Sequence, residues 1–188
     1  INKSQKLISL VEGKKGKNLY EGNISDMWSI GKTPNGGYTM ALAAKAISES
    51  LEHKDPLIVT ANYLNRLNFG KIDIKVENLP STRSLSSARA TMIQDNEIKV
   101  IFTATFTDFS KATGLNKAFK KEPIFEKYED CHFHAFKEGF NPGLEKFIEK
   151  KYCSDSIWWK AKDNNENKNA VLNLYMSWPN KEKADLYS

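Results

Sequence analysis

The sequence predicts an α+β fold in which an antiparallel sheet wraps one long central helix. Three observations point that way. An alanine-rich helical stretch is apolar on nearly every side, period-two strands follow it, and a tight hairpin signal joins the last two of them.

A polar, lysine-rich lead-in occupies residues 1–17, and regular structure is expected from Asn18. Asn18 to Ile24 and Met27 to Ile30 read as two short extended pieces. The breaker-rich loop Gly31-Lys-Thr-Pro-Asn-Gly-Gly37 then runs straight into good helix formers from Tyr38 to Leu51. Met40, Ala43, Ala44, Ile47 and Leu51 share one helical stripe, while Ala41, Leu42 and Ala46 lie off it. A helix apolar nearly all round is a buried helix.

Beyond the helix the period changes to two. Leu57 to Leu67 is extended, and from Gly70 onward Ile72, Ile74 and Val76 alternate with Lys71, Asp73, Lys75 and Glu77. One buried and one wet face mark an antiparallel sheet. Ser84 to Gln94 and Ile98 to Thr107 form a further pair, with Asp95-Asn96 at a tip that tolerates positive φ. Ile98, Val100, Phe102, Ala104 and Phe106 are expected to share a face. The small residues Ala88 and Ala90 suit a sheet that closes tightly around something. One long apolar helix followed by such a meander is the hotdog arrangement, although an ordinary α+β sandwich satisfies the same periodicity.

The remainder reads differently. Residues 113–141 are charged and aromatic with Gly and Pro, as in a linker. Leu144 to Tyr152 matches both helical and strand spacing, and Ala170 to Trp178 reads as a strand after the polar stretch Asp163–Asn169.

Specific residues carry a family resemblance. Trp28-Ser-Ile, Pro34-Asn-Gly-Gly-Tyr leading into Ala41-Leu-Ala-Ala-Lys-Ala, Tyr63-Leu, Arg83-Ser-Leu-Ser, Gln94-Asp and Ala104-Thr-Phe resemble, in order and spacing, acyl-CoA thioesterase II and its thioesterase-like relatives. The resemblance implies a double hotdog, with a first unit over 18–112, a linker over 113–141 and the start of a second, incomplete unit over 142–188. The tail Trp178-Pro-Asn-Lys-Glu-Lys-Ala-Asp185-Leu resembles the stretch before the second central helix, which makes Leu144 to Tyr152 a strand. In the family the catalytic Asp, Thr or Ser, and Gln belong to the second hotdog. They would lie beyond Ser188, so no catalytic residue is assigned here. Where the family has an aromatic-Leu-Arg-Pro segment, this chain has Tyr63-Leu64-Asn65-Arg66, displaced and without Pro.

The local candidate for substrate binding is the turn Asn35-Gly36-Gly37-Tyr38, together with Asn62 and Tyr63 on the strand expected to face it. A helix start offers unpaired N–H groups and the positive end of the helix dipole, and glycine permits close approach to that backbone. The same glycines would equally serve helix–sheet packing, and Tyr63 and Asn62 equally suit a core tyrosine and a surface asparagine. Arg83 and Arg89 are candidates for coenzyme A phosphates, or plain exposed arginines.

The implied function is hydrolysis of acyl-CoA thioesters without a cofactor. The alternative is a non-catalytic hotdog that binds acyl chains or mediates assembly. A hotdog dehydratase would need a histidine by the ligand, and none of the three histidines sits near Gly37 in sequence. Cys131-His-Phe-His134 superficially suggests metal ligands, but adjacent residues rarely converge on one ion and no second pair stands at zinc spacing, so no metal site is expected. His53, just past the helix, is expected to cap its C-terminal end.

Composition narrows the rest. The hydrophobic and charged fractions are those of a soluble globular protein, and no apolar run reaches the ~18–20 residues of a membrane span. The net charge of +5 comes from lysines interspersed with acids, in tracts without stacking aromatics, which argues against nucleic acid. With no targeting signal visible, a cytoplasmic location is the default expectation. The two cysteines could form one bridge but are expected as free buried thiols. Exposed apolar surface on a partial second hotdog would favour self-association.

Overall fold

A computed structural model describes residues 18–115, 117–157 and 171–178, together with the backbone of 10–12. The chain divides into two compact units, with the boundary between Thr113 and Gly114.

The first unit holds strands β1 (Leu10–Glu12), β2 (Leu19–Ile24), β3 (Ser29–Ile30) and β4 (Thr33–Pro34), helix α1 (Gly36–Ser50), and strands β5 (Asp55–Tyr63), β6 (Gly70–Asn78), β7 (Ser86–Gln94) and β8 (Glu97–Thr107). Six strands form one antiparallel sheet in the order β1-β2-β6-β7-β8-β5, and α1 packs against all six. The lead-in thus contributes a short strand, β1, paired with β2. The rest of residues 1–17 lies outside the described residues.

Burial follows the alternation. Ile72, Ile74 and Val76 of β6, Ala88, Ala90 and Met92 of β7, and Val100, Phe102, Ala104 and Phe106 of β8 all enter the core. They meet Leu42, Ala43, Ala46 and Ile47 of α1, which are fully buried. Ala43, Ala44, Ile47 and Leu51 of the expected stripe are buried, Leu42 and Ala46 beside it are buried as well, and Met40 is partly buried. Exposure on α1 is concentrated at Ala41, Lys45 and Glu49, the last two joined by an i,i+4 ion pair of 2.7 Å. Contact with all six strands of the sheet is what makes the buried arc so wide.

The hairpin joining β7 and β8 turns on Asp95 and Asn96, at φ 56° and 60°. Just beyond it the register shifts, so that Ile93 opposes Ile98 but Met92 opposes Val100. Lys99 is the extra residue of this bulge. Strict alternation therefore fails at Ile98, which is 47% exposed instead of joining the Val100 face. The bulge is used elsewhere, because the Lys99 carbonyl accepts from the amides of Leu64 and Asn65 at 2.9 and 3.0 Å. Gln94 is buried beside it. Its side chain accepts from the Asn68 amide at 2.8 Å and donates to the carbonyls of Asn68 and Lys71 at 3.1 Å, tying the β5–β6 connection to the hairpin.

The helix C-terminus is capped by Lys54, not by His53. The Lys54 ammonium donates to the carbonyls of Ser48 and Leu51 at 2.6 and 2.5 Å, whereas His53 Nδ1 pairs with the buried Ser86 hydroxyl at 2.7 Å.

The second unit contains β9 (His132–His134), β10 (Glu149–Tyr152) and β11 (Leu174–Ser177), an antiparallel sheet in the order β11-β10-β9. A strand therefore stands inside the stretch that composition suggests as linker. The stretch Leu144–Tyr152 divides: a 3-10 turn covers Gly143–Phe147, and the strand starts only at Glu149. Lys150 is buried there against Glu145, 2.6 Å away. Of the strand expected over Ala170 to Trp178, Leu174–Ser177 pairs with β10. Ala170, Asp163–Asn169 and the tail beyond Trp178 lie outside the described residues.

Candidate functional site

The loop before α1 is more ordered than its glycines and proline suggest. β3 and β4 form a minimal hairpin, Ser29 opposite Pro34 and Ile30 opposite Thr33, with Gly31 at φ 62° in the turn. Only a residue tolerant of left-handed backbone sits comfortably there. The Asn35 amide extends this pairing by donating to the Trp28 carbonyl at 2.8 Å. That bond delivers Asn35, in extended conformation, to the N-cap of α1.

The cap leaves a specific vacancy in the hydrogen bonding. Asn35 Oδ1 accepts from the Tyr38 amide at 3.0 Å, and the Asn35 carbonyl accepts from the Thr39 amide at 3.1 Å. The amides of Gly36 and Gly37 find no acceptor among the described residues. They stand at the positive end of the helix dipole, with Gly37 exposed and no side chain on either residue to screen them. Asn35→Ala should remove the cap and lower stability by about 1 kcal/mol, as read from urea unfolding midpoints.

Tyr63, at the end of β5, reaches this turn. Its hydroxyl donates to the Gly36 carbonyl at 2.6 Å, and a Cβ placed on Gly36 would stand 3.0 Å from that oxygen. The Tyr63 ring packs edge-on against Phe102, with centroids 6.3 Å apart, yet the residue is half exposed. It is neither a core tyrosine nor a free one. Arg66, in the displaced segment, donates to the Lys32 carbonyl at 2.8 Å and holds the preceding hairpin turn.

The other sequence candidates are placed differently. Tyr38 is buried and stacked on Trp28 at 6.4 Å. Its hydroxyl accepts from the Ser25 amide at 3.1 Å and lies 3.4 Å from the Asn23 carbonyl, and burial raises its pKa. This side chain anchors the helix to the segment after β2. Asn62 alternates to the face of β5 opposite Tyr63 and is exposed, so the structure does not bring it to the turn. Arg89 lies exposed on β7 opposite Glu77, between the inward-facing Ala88 and Ala90, and Arg83 is exposed in the β6–β7 connection.

In the second unit Cys131 and Cys153 are both free and buried, with sulfurs 3.6 Å apart. Glu126 joins them: one ligand atom from each of the three residues falls within 4.8 Å of the others. His132 and His134 are not part of that group, so the run of four residues does not act together. The Cys131–Cys153–Glu126 cluster, the Lys54 cap, the Gln94 clamp and the Lys99 bulge were not anticipated from sequence. Each depends on which strands become neighbours, and no local spacing encodes that.

Comparison with known proteins agrees with the geometry. Residues 24–107 match the family described as the acyl-CoA thioesterase N-terminal domain. No curated protein matches the sequence. Among solved structures, a hotdog-fold protein of unknown function from Alicyclobacillus acidocaldarius superposes with a TM-score of 0.76 at 18% identity, covering 96% of this chain and 64% of that one. A candidate thioesterase II from Thermobifida fusca gives 0.74 at 17% identity, covering 82% and 57%. The tesB protein of Mycobacterium avium subspecies paratuberculosis gives 0.59 at 17%, covering 79% and 53%. The chain therefore spans less than two thirds of each of these proteins. No described helix is long and apolar enough to cross a membrane. Residues 24–107, with their antiparallel sheet closed over a single helix, have the hotdog fold and match the family model of the acyl-CoA thioesterase N-terminal domain.

Proposed function

We propose that the protein takes part in hydrolysis of acyl-CoA thioesters to free acid and coenzyme A, with water as the attacking nucleophile. The observation that carries this reading is that the Gly36 and Gly37 amides, at the start of a buried helix in a domain that matches the thioesterase family, find no acceptor among the described residues. Attack on a thioester builds negative charge on the carbonyl oxygen. Fixed N–H donors aimed at that oxygen stabilise the transition state by about 3–4 kcal/mol each. In this reading Asn35 and Tyr63 hold the turn in shape, while the glycines let the thioester carbonyl approach the backbone. A carboxylate or polar network of a second hotdog would activate the water. The second unit supplies the opening part of that hotdog, a reading supported by the 96% coverage of this chain in the Alicyclobacillus superposition. Packing of hotdogs against one another would also supply self-association, and the scattered positive charge would suit coenzyme A phosphates.

One observation favours a second reading. The groups bonded to the backbone of the turn include Asn35, Thr39, Tyr63 and the Trp28 carbonyl, and none of these is a general base at neutral pH. A hotdog that binds acyl thioesters without cleaving them is consistent with that. A panel of acyl-CoAs of increasing chain length, with free thiol detected by a chromogenic disulfide, separates the two. Turnover with thiol release is the expected result. Saturable acyl-CoA binding with no thiol released would overturn hydrolysis in favour of binding.

A further inference from the structure

The second unit has little to hold it together. Its three strands are three or four residues long, and among its described residues Cys131 and Cys153 are the only buried apolar side chains. Units with so small a core commonly rely on a covalent or metal staple.

The two cysteines are placed for one. The antiparallel ladder between β9 and β10 pairs Lys150 with His134, Lys151 with Phe133 and Tyr152 with His132. One step further the same register sets Cys153 opposite Cys131. Directly opposed residues on antiparallel strands have Cα atoms about 4.5–5.5 Å apart, inside the span of about 4.4–6.8 Å that a disulfide bridges. The sulfurs stand 3.6 Å apart, so closing to about 2.0 Å needs side-chain rotation rather than strand movement. Neighbouring groups fix the site: the Glu126 carboxylate accepts from the amide and hydroxyl of Ser154, the residue after Cys153, and the Tyr175 hydroxyl donates to the Glu126 carbonyl at 2.8 Å.

We infer that Cys131 and Cys153 form a reversible dithiol–disulfide pair that staples β9 to β10 when the chain meets a low-molecular-weight disulfide. The exchange is balanced. One cysteine thiolate attacks the small disulfide and expels one thiol, leaving a mixed disulfide; the second cysteine thiolate attacks that bond and expels the other thiol. The protein gives up two protons and two electrons, and the small disulfide is reduced to two thiols. Burial, and then the hydrogen bond to Cys153, raise the Cys131 pKa to about 11, so Cys131 rests as a thiol at neutral pH. Exchange in the folded chain is correspondingly slow.

The test is an equilibrium one, so that burial does not limit it. The whole chain is refolded from denaturant into buffers of varied reduced and oxidised glutathione, quenched in acid, alkylated and mapped by mass. The same titration is run in denaturant. If native structure holds the sulfurs in register, the glutathione-referenced formation constant should be at least about tenfold larger in native buffer than in denaturant. A native constant equal to or below the denatured one would overturn the inference. So would zinc ion alone shielding both thiols from alkylation while no disulfide forms at any ratio, a result that would assign Glu126, Cys131 and Cys153 to a metal instead.

Discussion

Gly36→Pro should lower the rate of acyl-CoA cleavage by about 10²–10³-fold while leaving a folded protein, if the helix-start amides stabilise the developing oxyanion. The substitution is unusually clean here. Gly36 is the first helical residue, where proline is welcome because its missing N–H has no partner within the helix. The residue before a proline must be extended, and Asn35 already sits at φ −62° and ψ 136°. A Cβ added there would stand 3.0 Å from the Tyr63 hydroxyl and 3.3 Å from its Cζ, at the far end of a half-exposed side chain. Gly36→Ala makes the same contact yet keeps the N–H, so the ratio of the two variants isolates the amide. Initial rates with saturating substrate, alongside melting curves, make the measurement. Equal activity of the proline and alanine variants would remove the Gly36 amide from the mechanism.

The largest effect on stability is expected at Phe102. Phe102→Ala should cost about 3–5 kcal/mol, read as a fall in the urea midpoint at constant slope. Phe102 is fully buried on β8, opposite Ala90 of β7 on one side and Ala61 of β5 on the other. Neither alanine can grow to fill the space, which is why the cost belongs at the upper end for a core truncation. Thr103→Ala, one residue along on the exposed face, should stay within about 0.5 kcal/mol and serves as the control. Phe102 also supports the Tyr63 ring, so its loss should loosen the turn that Tyr63 holds.

Two plain periods made the helix and sheet of the first unit readable, and the family resemblance chose the hotdog among the arrangements they allow. A stretch with alanine at Ala41, Ala43, Ala44 and Ala46 is apolar on nearly every side, and Ile72, Ile74 and Val76 keep strict alternation. Helix-start chemistry pointed to the turn at Asn35–Tyr38, where the Gly36 and Gly37 amides find no acceptor among the described residues. Three things escaped. The Lys99 bulge inverted the expected side of Ile98, because a bulge inserts a residue without any compositional mark. The arc of burial on α1 was set by the number of strands around it, which one helix's periodicity does not report. Tyr38 looked like a ligand-facing aromatic beside two glycines, yet Trp28 and the Ser25 amide claim it. The second unit was the least legible. Its strands are so short that propensity carries almost no weight, and their pairing depends on segments far apart in sequence.

The double loading of the Gly36 carbonyl has an electronic consequence. That oxygen receives the Tyr63 hydroxyl at 2.6 Å and the Thr39 hydroxyl at 2.9 Å. It belongs to the same resonant group as the nitrogen of Gly37. Withdrawing density at the oxygen end shifts the nitrogen lone pair toward the carbonyl and leaves the attached hydrogen more positive, a through-bond version of hydrogen-bond cooperativity. A phenol and an alcohol on one side of a planar group thereby sharpen the donor on its other side, without either of them touching whatever that donor meets.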